Sequence, residues 1–322
     1  RLVMVLVAPS SIIIGFFVVY TYSKTKQHNE SKRIYAWMIF ILVLMAAVFA
    51  GYTMYKENSA QASLYGPTVY TYQWQKAMSW VRENTSESAI FAHWWDYGYW
   101  VQSLGERATV LDGGNAISYW NHLMGRYVLT GSDNNQALEF LYAHNVTHFL
   151  IDSTDIGKYT AFSFIGSNTS LDRRSWLSVM LRDNSQTKET KNSTITVYAG
   201  GTSLDEDIIY NQDDKKIFLP ADKAGLGAVI VELDQKGIIK QPLGVFVYQS
   251  QQYSIPFRYA YYNGVFTDFG SGIESGIYIF SRINNDGSLE QNGALIYLSK
   301  RTVKSQLARL YLYKEENLYF KL

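Results

Sequence analysis

Residues 93–100 read His93-Trp94-Trp95-Asp96-Tyr97-Gly98-Tyr99-Trp100 and follow directly on the apolar run Ala89 to Ala92. So many rings around one carboxylate are costly to leave in water, and the stretch therefore marks an interior corner. Indole N–H groups only donate hydrogen bonds, an ionised carboxylate only accepts, and the rings form stiff apolar walls. The cluster could therefore clasp one small hydroxyl-bearing group. On the residues alone, the structural alternative stands ahead of that site: a buried aromatic knot whose Asp96 caps the following helix. Gly98 is expected to permit a tight backbone approach beside the rings.

Downstream, Thr109 to Asp112 and Thr147 to Ile151 read as short buried strands, with a helix over Ala137 to Ala143 between them. Strands alternating with helices imply an α/β core. In open α/β sheets ligands sit beyond the carboxyl ends of strands. That is where both the aromatic cluster and Asp152-Ser153-Thr154-Asp155-Ile156-Gly157-Lys158 fall. The competing reading makes Asp152 or Asp155 an N-cap and Lys158 a solvated charge. From Thr194 the pattern changes to short alternating segments punctuated by glycine, which reads as antiparallel strands. Thr302 to Tyr313 then reads as a helix.

Upstream, Leu2 to Tyr20 and Ile34 to Tyr52 are apolar runs of spanning length. The link between them holds Lys24, Lys26, Lys32 and Arg33 against Glu30, which puts that loop on the cytoplasmic side by the positive-inside rule. The expected fold class is two transmembrane helices, a mixed α/β and mainly α extracytoplasmic core domain, and a β-rich accessory domain. The expected boundaries are 1–55 for the membrane helices with a cytoplasmic loop at 21–33, and 56–193 for the core. The accessory domain covers 194–299, and a helix and final strand packing back on the core cover 300–322. The expected location is a cell membrane, multi-pass. The absence of cysteine excludes disulfides and thiolate chemistry. A net charge of +1 without a basic stripe argues against a nucleic-acid partner. Arg1 in place of Met, with no leader pattern before the apolar run, reads as part of a longer chain.

Trp94-Trp95-Asp96-Tyr97-Gly98 after two such spans resembles the signature of oligosaccharyltransferase catalytic subunits. Asp155-Ile156-Gly157-Lys158 resembles that family's second motif, an Asp and a Lys three apart with Ile or Met four residues after the Lys; here that position is Phe162. Arg1 to Pro9 looks like the start of the family's late transmembrane helix, and the β-rich tail without cysteine is most similar to the archaeal AglB type, in its C-terminal portion. The resemblance implies transfer of a glycan from a dolichol-linked phosphate or diphosphate carrier to Asn of Asn-x-Ser/Thr. Its signature pocket holds the Ser/Thr hydroxyl and does no bond chemistry. Trp94, Trp95, Asp96, Lys158 and Phe162 are then the acceptor-peptide residues, Tyr97, Gly98 and Asp155 their support, and Arg1 the contact to the lipid-linked donor. The resemblance also implies a metal-binding enzyme that uses a divalent cation, Mg2+ or Mn2+, with its ligands and catalytic groups upstream of this portion, which alone is expected to be inactive. The implied partners are acceptor polypeptides, dolichol-linked oligosaccharide and membrane lipid. The alternative is a membrane-anchored, non-catalytic glycan-binding protein of the cell surface.

Overall fold

A computed structural model describes residues 2–27, 29–65, 71–212, 215–284, 286–316 and 318–321, and the side chains of these except at 2–8, 31, 64 and 65. Arg1, the expected donor contact, lies outside the described residues. The chain divides into two units, Arg1–Ala77 and Met78–Leu322.

In the first unit α1 (Leu2–Gln27) packs on α2 (Glu30–Tyr65). Thr21 and Thr25 are buried, each hydroxyl returning to a carbonyl of its own helix, and Tyr22 lies against Phe40 with ring centroids 5.4 Å apart. The expectation of two membrane spans is corrected. Among the described residues one helix, Lys32–Ser63, is long and apolar enough to cross a membrane, with a window of mean hydropathy 2.4. In α1 the described side chains begin at Pro9, and from there the helix carries Pro9, Ser10 and Ser11 before its apolar stretch and Lys24 and Lys26 after it. The multi-pass location, and the sidedness derived from a loop between two spans, fall with the second span.

The second unit begins with the core face of α3 (Tyr72–Asn84), whose Met78 and Val81 are buried. A three-stranded parallel sheet follows, with β1 (Ile90–Ala92) between β2 (Ala108–Thr109) and β3 (His148–Phe149). The strands are short, and side-chain stacking reinforces them: the rings of Phe91 and His148 lie 4.8 Å apart and nearly parallel. Around this sheet are α4 (Gly98–Ser103), α5 (Ser118–Leu123), which runs into a π-helical turn at Met124–Leu129, α6 (Asn134–Ala143) and α7 (Asp155–Ile165). Asp133 caps α6 by accepting from the Asn135 N–H.

The remaining strands are β4 (Ser178–Glu189), β5 (Ser193–Ser203), β6 (Ile208–Gln212), β7 (Lys215–Leu219), β8 (Gly225–Asp234), β9 (Leu243–Tyr248), β10 (Gln251–Tyr262), β11 (Val265–Asp268), β12 (Ile273–Ile283) and β13 (Leu289–Leu298). Following the ladders, β10, β12, β13, β4, β5, β8 and β9 pair in turn, and β9 pairs again with β10. The sheet therefore closes on itself, which removes the free edges an open sheet would expose. Among the described residues of this part, β11, hung on β10, and the β6–β7 hairpin stand outside the ring. Its interior is filled by Leu226, Phe246, Ile255, Phe257, Leu295 and Tyr297.

The expectation of a mainly α core with a separate β-rich accessory domain is corrected as well. The closed barrel and the α/β sheet belong to one compact unit. The first barrel strand lies at Ser178–Glu189, where bulky apolar residues are sparse and the alternating pattern is weak.

Candidate functional site

The backbone leaves β1 at Ala92 and turns through His93 and Trp94 into a single 3-10 turn, Trp95–Tyr97, before α4 begins at Gly98. The turn is forced by a close approach. A methyl placed on Gly98 would lie 2.5 Å from Cα and Cβ of Asp112 and from the Leu111 carbonyl oxygen. The backbone contact expected of Gly98 is thus made with the segment after β2, not with the rings.

Asp96 is not a helix cap, because neither the 3-10 turn nor α4 has a side-chain cap. Its Oδ2 lies 2.7 Å from Lys158 Nζ, with both side chains about 30 % exposed. Lys158 is one turn into α7, the helix that follows β3, so the two segments at the carboxyl ends of β1 and β3 meet here. Lys158 Nζ also donates to Tyr97 Oη at 3.0 Å and sits 4.4 Å from that ring's centroid. Tyr97 Oη in turn donates to Asp155 Oδ1 at 2.6 Å and exchanges a bond with Thr154 Oγ1 at 2.9 Å. Asp155 Oδ2 accepts the Asp152 N–H, and Asp152 Oδ1 accepts from Thr154. Tyr97 is therefore the hub that joins the two motifs. Its single proton goes to Asp155, leaving a lone pair to accept from Lys158, while the one Thr154 hydroxyl proton is shared between Asp152 and Tyr97.

The tryptophans divide in their surroundings. Trp94 is 3 % exposed, its ring centroid 4.6 Å from that of the fully buried Phe162, whereas Trp95 is half-buried at the surface beside Asp96. Phe162 stands behind Trp94, away from the open side. A second backbone approach fixes α7: a methyl on Gly125 would lie 2.6 Å from the Phe162 carbonyl oxygen, and one on Gly166 2.6 Å from the Arg126 nitrogen. Arg126 locks the same junction through a bidentate pair with Asp172, which holds that carboxyl down at about 2.

Two contributors carry little sequence signal. Thr154 is one of many threonines, and only the fold brings it to Tyr97. His93 is fully buried, and its Nδ1 lies 2.8 Å from the Trp94 carbonyl. A carbonyl only accepts, so Nδ1 carries the proton and Nε2 is a bare acceptor, with no partner among the described residues. Burial lowers the His93 pKa to about 4, and burial raises that of Asp155 to about 6.

These two shifts act in opposite directions on stability. The Asp155 contribution is fully present below about pH 4 and is lost as pH rises through about 6; that of His93 is present above about 6.5 and is lost as pH falls through about 4. Each is worth about 3 kcal/mol, so they largely offset one another between pH 4 and 6. Melting temperatures across this window should be nearly flat in the parent protein, rise with pH in Asp155→Asn and fall with pH in His93→Gln. Parallel profiles for all three would contradict the assignment.

The expected divalent cation finds no set of ligands here, and the metal-binding expectation is corrected for this chain. Among the described residues no three His, Asp or Glu side chains group so as to hold a metal ion. The site's carboxylates are already engaged: Asp96 by Lys158, Asp155 by Tyr97, and Asp112 by Gln102 and the Gly114 N–H.

Residues 87–203, which contain this whole site, match the STT3/PglB/AglB core domain. The chain carries an STT3/PglB/AglB core domain over this segment. A dolichyl-phosphooligosaccharide-protein glycotransferase 1 of Pyrococcus furiosus is 30% identical over 162 residues, covering 50% of this chain and 16% of that protein. Its Pyrococcus horikoshii counterpart is 29% identical over 159 residues, with 48% and 16% covered. The chain thus spans about a sixth of the length of these archaeal family members. Among solved structures, the apo oligosaccharyltransferase of Archaeoglobus fulgidus aligns with 92% of this chain and 28% of its own, at 15% identity and a TM-score of 0.41. A C-terminal globular domain of another oligosaccharyltransferase from that organism aligns with 31% of this chain and 67% of its own, at 20% identity and a TM-score of 0.25.

Proposed function

We propose that this chain is a membrane-anchored, non-catalytic recognition portion of an oligosaccharyltransferase, which reads the Ser or Thr hydroxyl of Asn-x-Ser/Thr in acceptor polypeptides. The observation that carries the reading is the Asp96–Lys158 pair beside the half-buried Trp95. The Asp96 carboxylate is fixed by one oxygen, and Oδ1 is left to accept an incoming hydroxyl proton. The Trp95 indole N–H supplies the matching donor to the hydroxyl oxygen. Trp94, backed by Phe162, is the apolar wall, and Tyr97 and Asp155 hold Lys158 in line.

Of the two readings made from the sequence, the membrane-anchored, non-catalytic binding protein has more support than the portion of a transferase, whose bond-forming groups are expected upstream of this chain. An asparagine amide nitrogen is a poor nucleophile, and activating it needs free carboxylates, yet those of the site are committed to Lys158, Tyr97 and backbone. Transfer from a dolichol-linked phosphate or diphosphate, aided by a divalent cation, is what we propose for a complete enzyme of this family. Contact with the lipid-linked donor through Arg1 belongs to the same proposal.

A titration of the chain with an Asn-x-Thr peptide, followed by tryptophan fluorescence, tests the reading. The peptide should bind the parent, and Trp95→Ala should weaken binding at least tenfold with the melting temperature unchanged. Equal peptide binding by parent and variant would contradict the pocket.

A further inference from the structure

Between β10, β11 and the segment after the barrel lies a cavity of about 450 Å³, within the size range of small-molecule sites. Its walls are the rings of Tyr259, Phe266 and Tyr313. Tyr259 and Phe266 lie nearly parallel with centroids 5.7 Å apart, and Phe266 meets Tyr313 at 4.8 Å. Lys304, Arg309 and Glu315 stand at its rim. Phe266 is 45% exposed on β11, the strand hung outside the barrel's ring, and a large ring left open to water calls for an explanation.

The charges around this cavity are already neutralised. Arg309 makes two bonds to Glu315, Lys304 lies 3.7 Å from Glu274, and Arg258, stacked on Tyr259, is held bidentately by Asp268. An ionic ligand would have to break one of these pairs, whereas a neutral one would not. The paired groups still offer lone pairs and N–H donors along their edges. An aromatic floor with a neutral, hydrogen-bonding rim suits a ligand with an apolar face and a polar edge. A pyranose ring is built this way: its axial C–H bonds form a face that stacks on an aromatic ring, and its equatorial hydroxyls point outward to planar donors and acceptors.

We propose that this cavity is a subsite for a neutral sugar ring, separate from the Asp96–Lys158 pocket. The inference rests on reading the chain as a binding protein and adds a second ligand class to it. Phe266 is the stacking platform, and the Arg309–Glu315 pair takes two neighbouring hydroxyls.

The test is retention of maltotriose, chitotriose and mannotriose by the full chain, followed by saturation-transfer NMR, with indole as the apolar control. At least one trisaccharide should bind, and Phe266→Ala should weaken that binding about tenfold. Phe266 is substantially exposed, so its removal should leave the melting temperature unchanged. Glu315→Gln, which keeps the size of the side chain, should weaken binding independently. The inference is overturned if no trisaccharide binds, if binding is the same in both variants, or if indole alone occupies the cavity. Titrating Asn-x-Thr peptide in the same samples separates the two claims: lost sugar binding with intact peptide binding rejects this subsite only, and the converse rejects the peptide pocket only.

Discussion

Gly98→Ala is expected to abolish the native packing of the segment that carries Trp94, Trp95 and Asp96. The added methyl would stand 2.5 Å from two backbone atoms and one Cβ, none of them the movable end of a flexible side chain. Overpacking of side chains costs about 1–3 kcal/mol, and here the opposing atoms are mostly main chain, so the cost should exceed that range. Relief would require pulling α4 off the segment after β2, which also breaks the Gln102 contacts to Thr109 and Asp112. Gly157→Ala is the matched control. It lies inside α7, where the methyl meets nothing within 4 Å, and it should stabilise by about 0.5–1 kcal/mol. Thermal unfolding followed by circular dichroism reads both. Equal melting temperatures for Gly98→Ala and the parent would show that the approach is not tight.

The aromatic corner was legible in the sequence because burying so many rings beside one carboxylate leaves few alternatives. The second motif was legible because it follows a strand. Other features needed the fold. The Tyr97 hydroxyl bridges segments 58 residues apart, and no local pattern predicts which tyrosine of 26 does so. Phe162 stands at the right spacing from Lys158, but spacing does not reveal that it faces Trp94. The two-span expectation counted the apolar run from Leu2 to Tyr20, whereas among the described residues the helix long and apolar enough to cross a membrane is Lys32–Ser63. Barrel closure depends on β9 pairing with both β8 and β10, a long-range choice that alternating residues do not encode.

The second large effect expected under the proposed function is selectivity for a hydroxyl beside Asp96. A site whose polar groups are left unpaired by an analogue can reject it by roughly 10⁴ to 10⁵. Here Asp96 keeps Lys158 as a partner when no hydroxyl is present, and its side chain remains 30% exposed. The loss is then nearer that of one hydrogen bond to a charged group, about 1.5–3 kcal/mol, or roughly ten- to a hundredfold in affinity. Asp96→Asn should erase most of this difference, because the neutral amide accepts more weakly and loses the charge of the pair with Lys158. Lys158→Met should reduce the difference less, since it leaves the acceptor in place.

The most direct measurement compares two peptides that differ only by Thr against Val at the position two residues after Asn, since these side chains have nearly the same shape. Titrated into the chain, the Thr peptide should bind at least ten times more tightly than the Val peptide, and the two should become equal in Asp96→Asn. Equal affinities in the parent chain, or a preference that survives Asp96→Asn unchanged, would contradict the account.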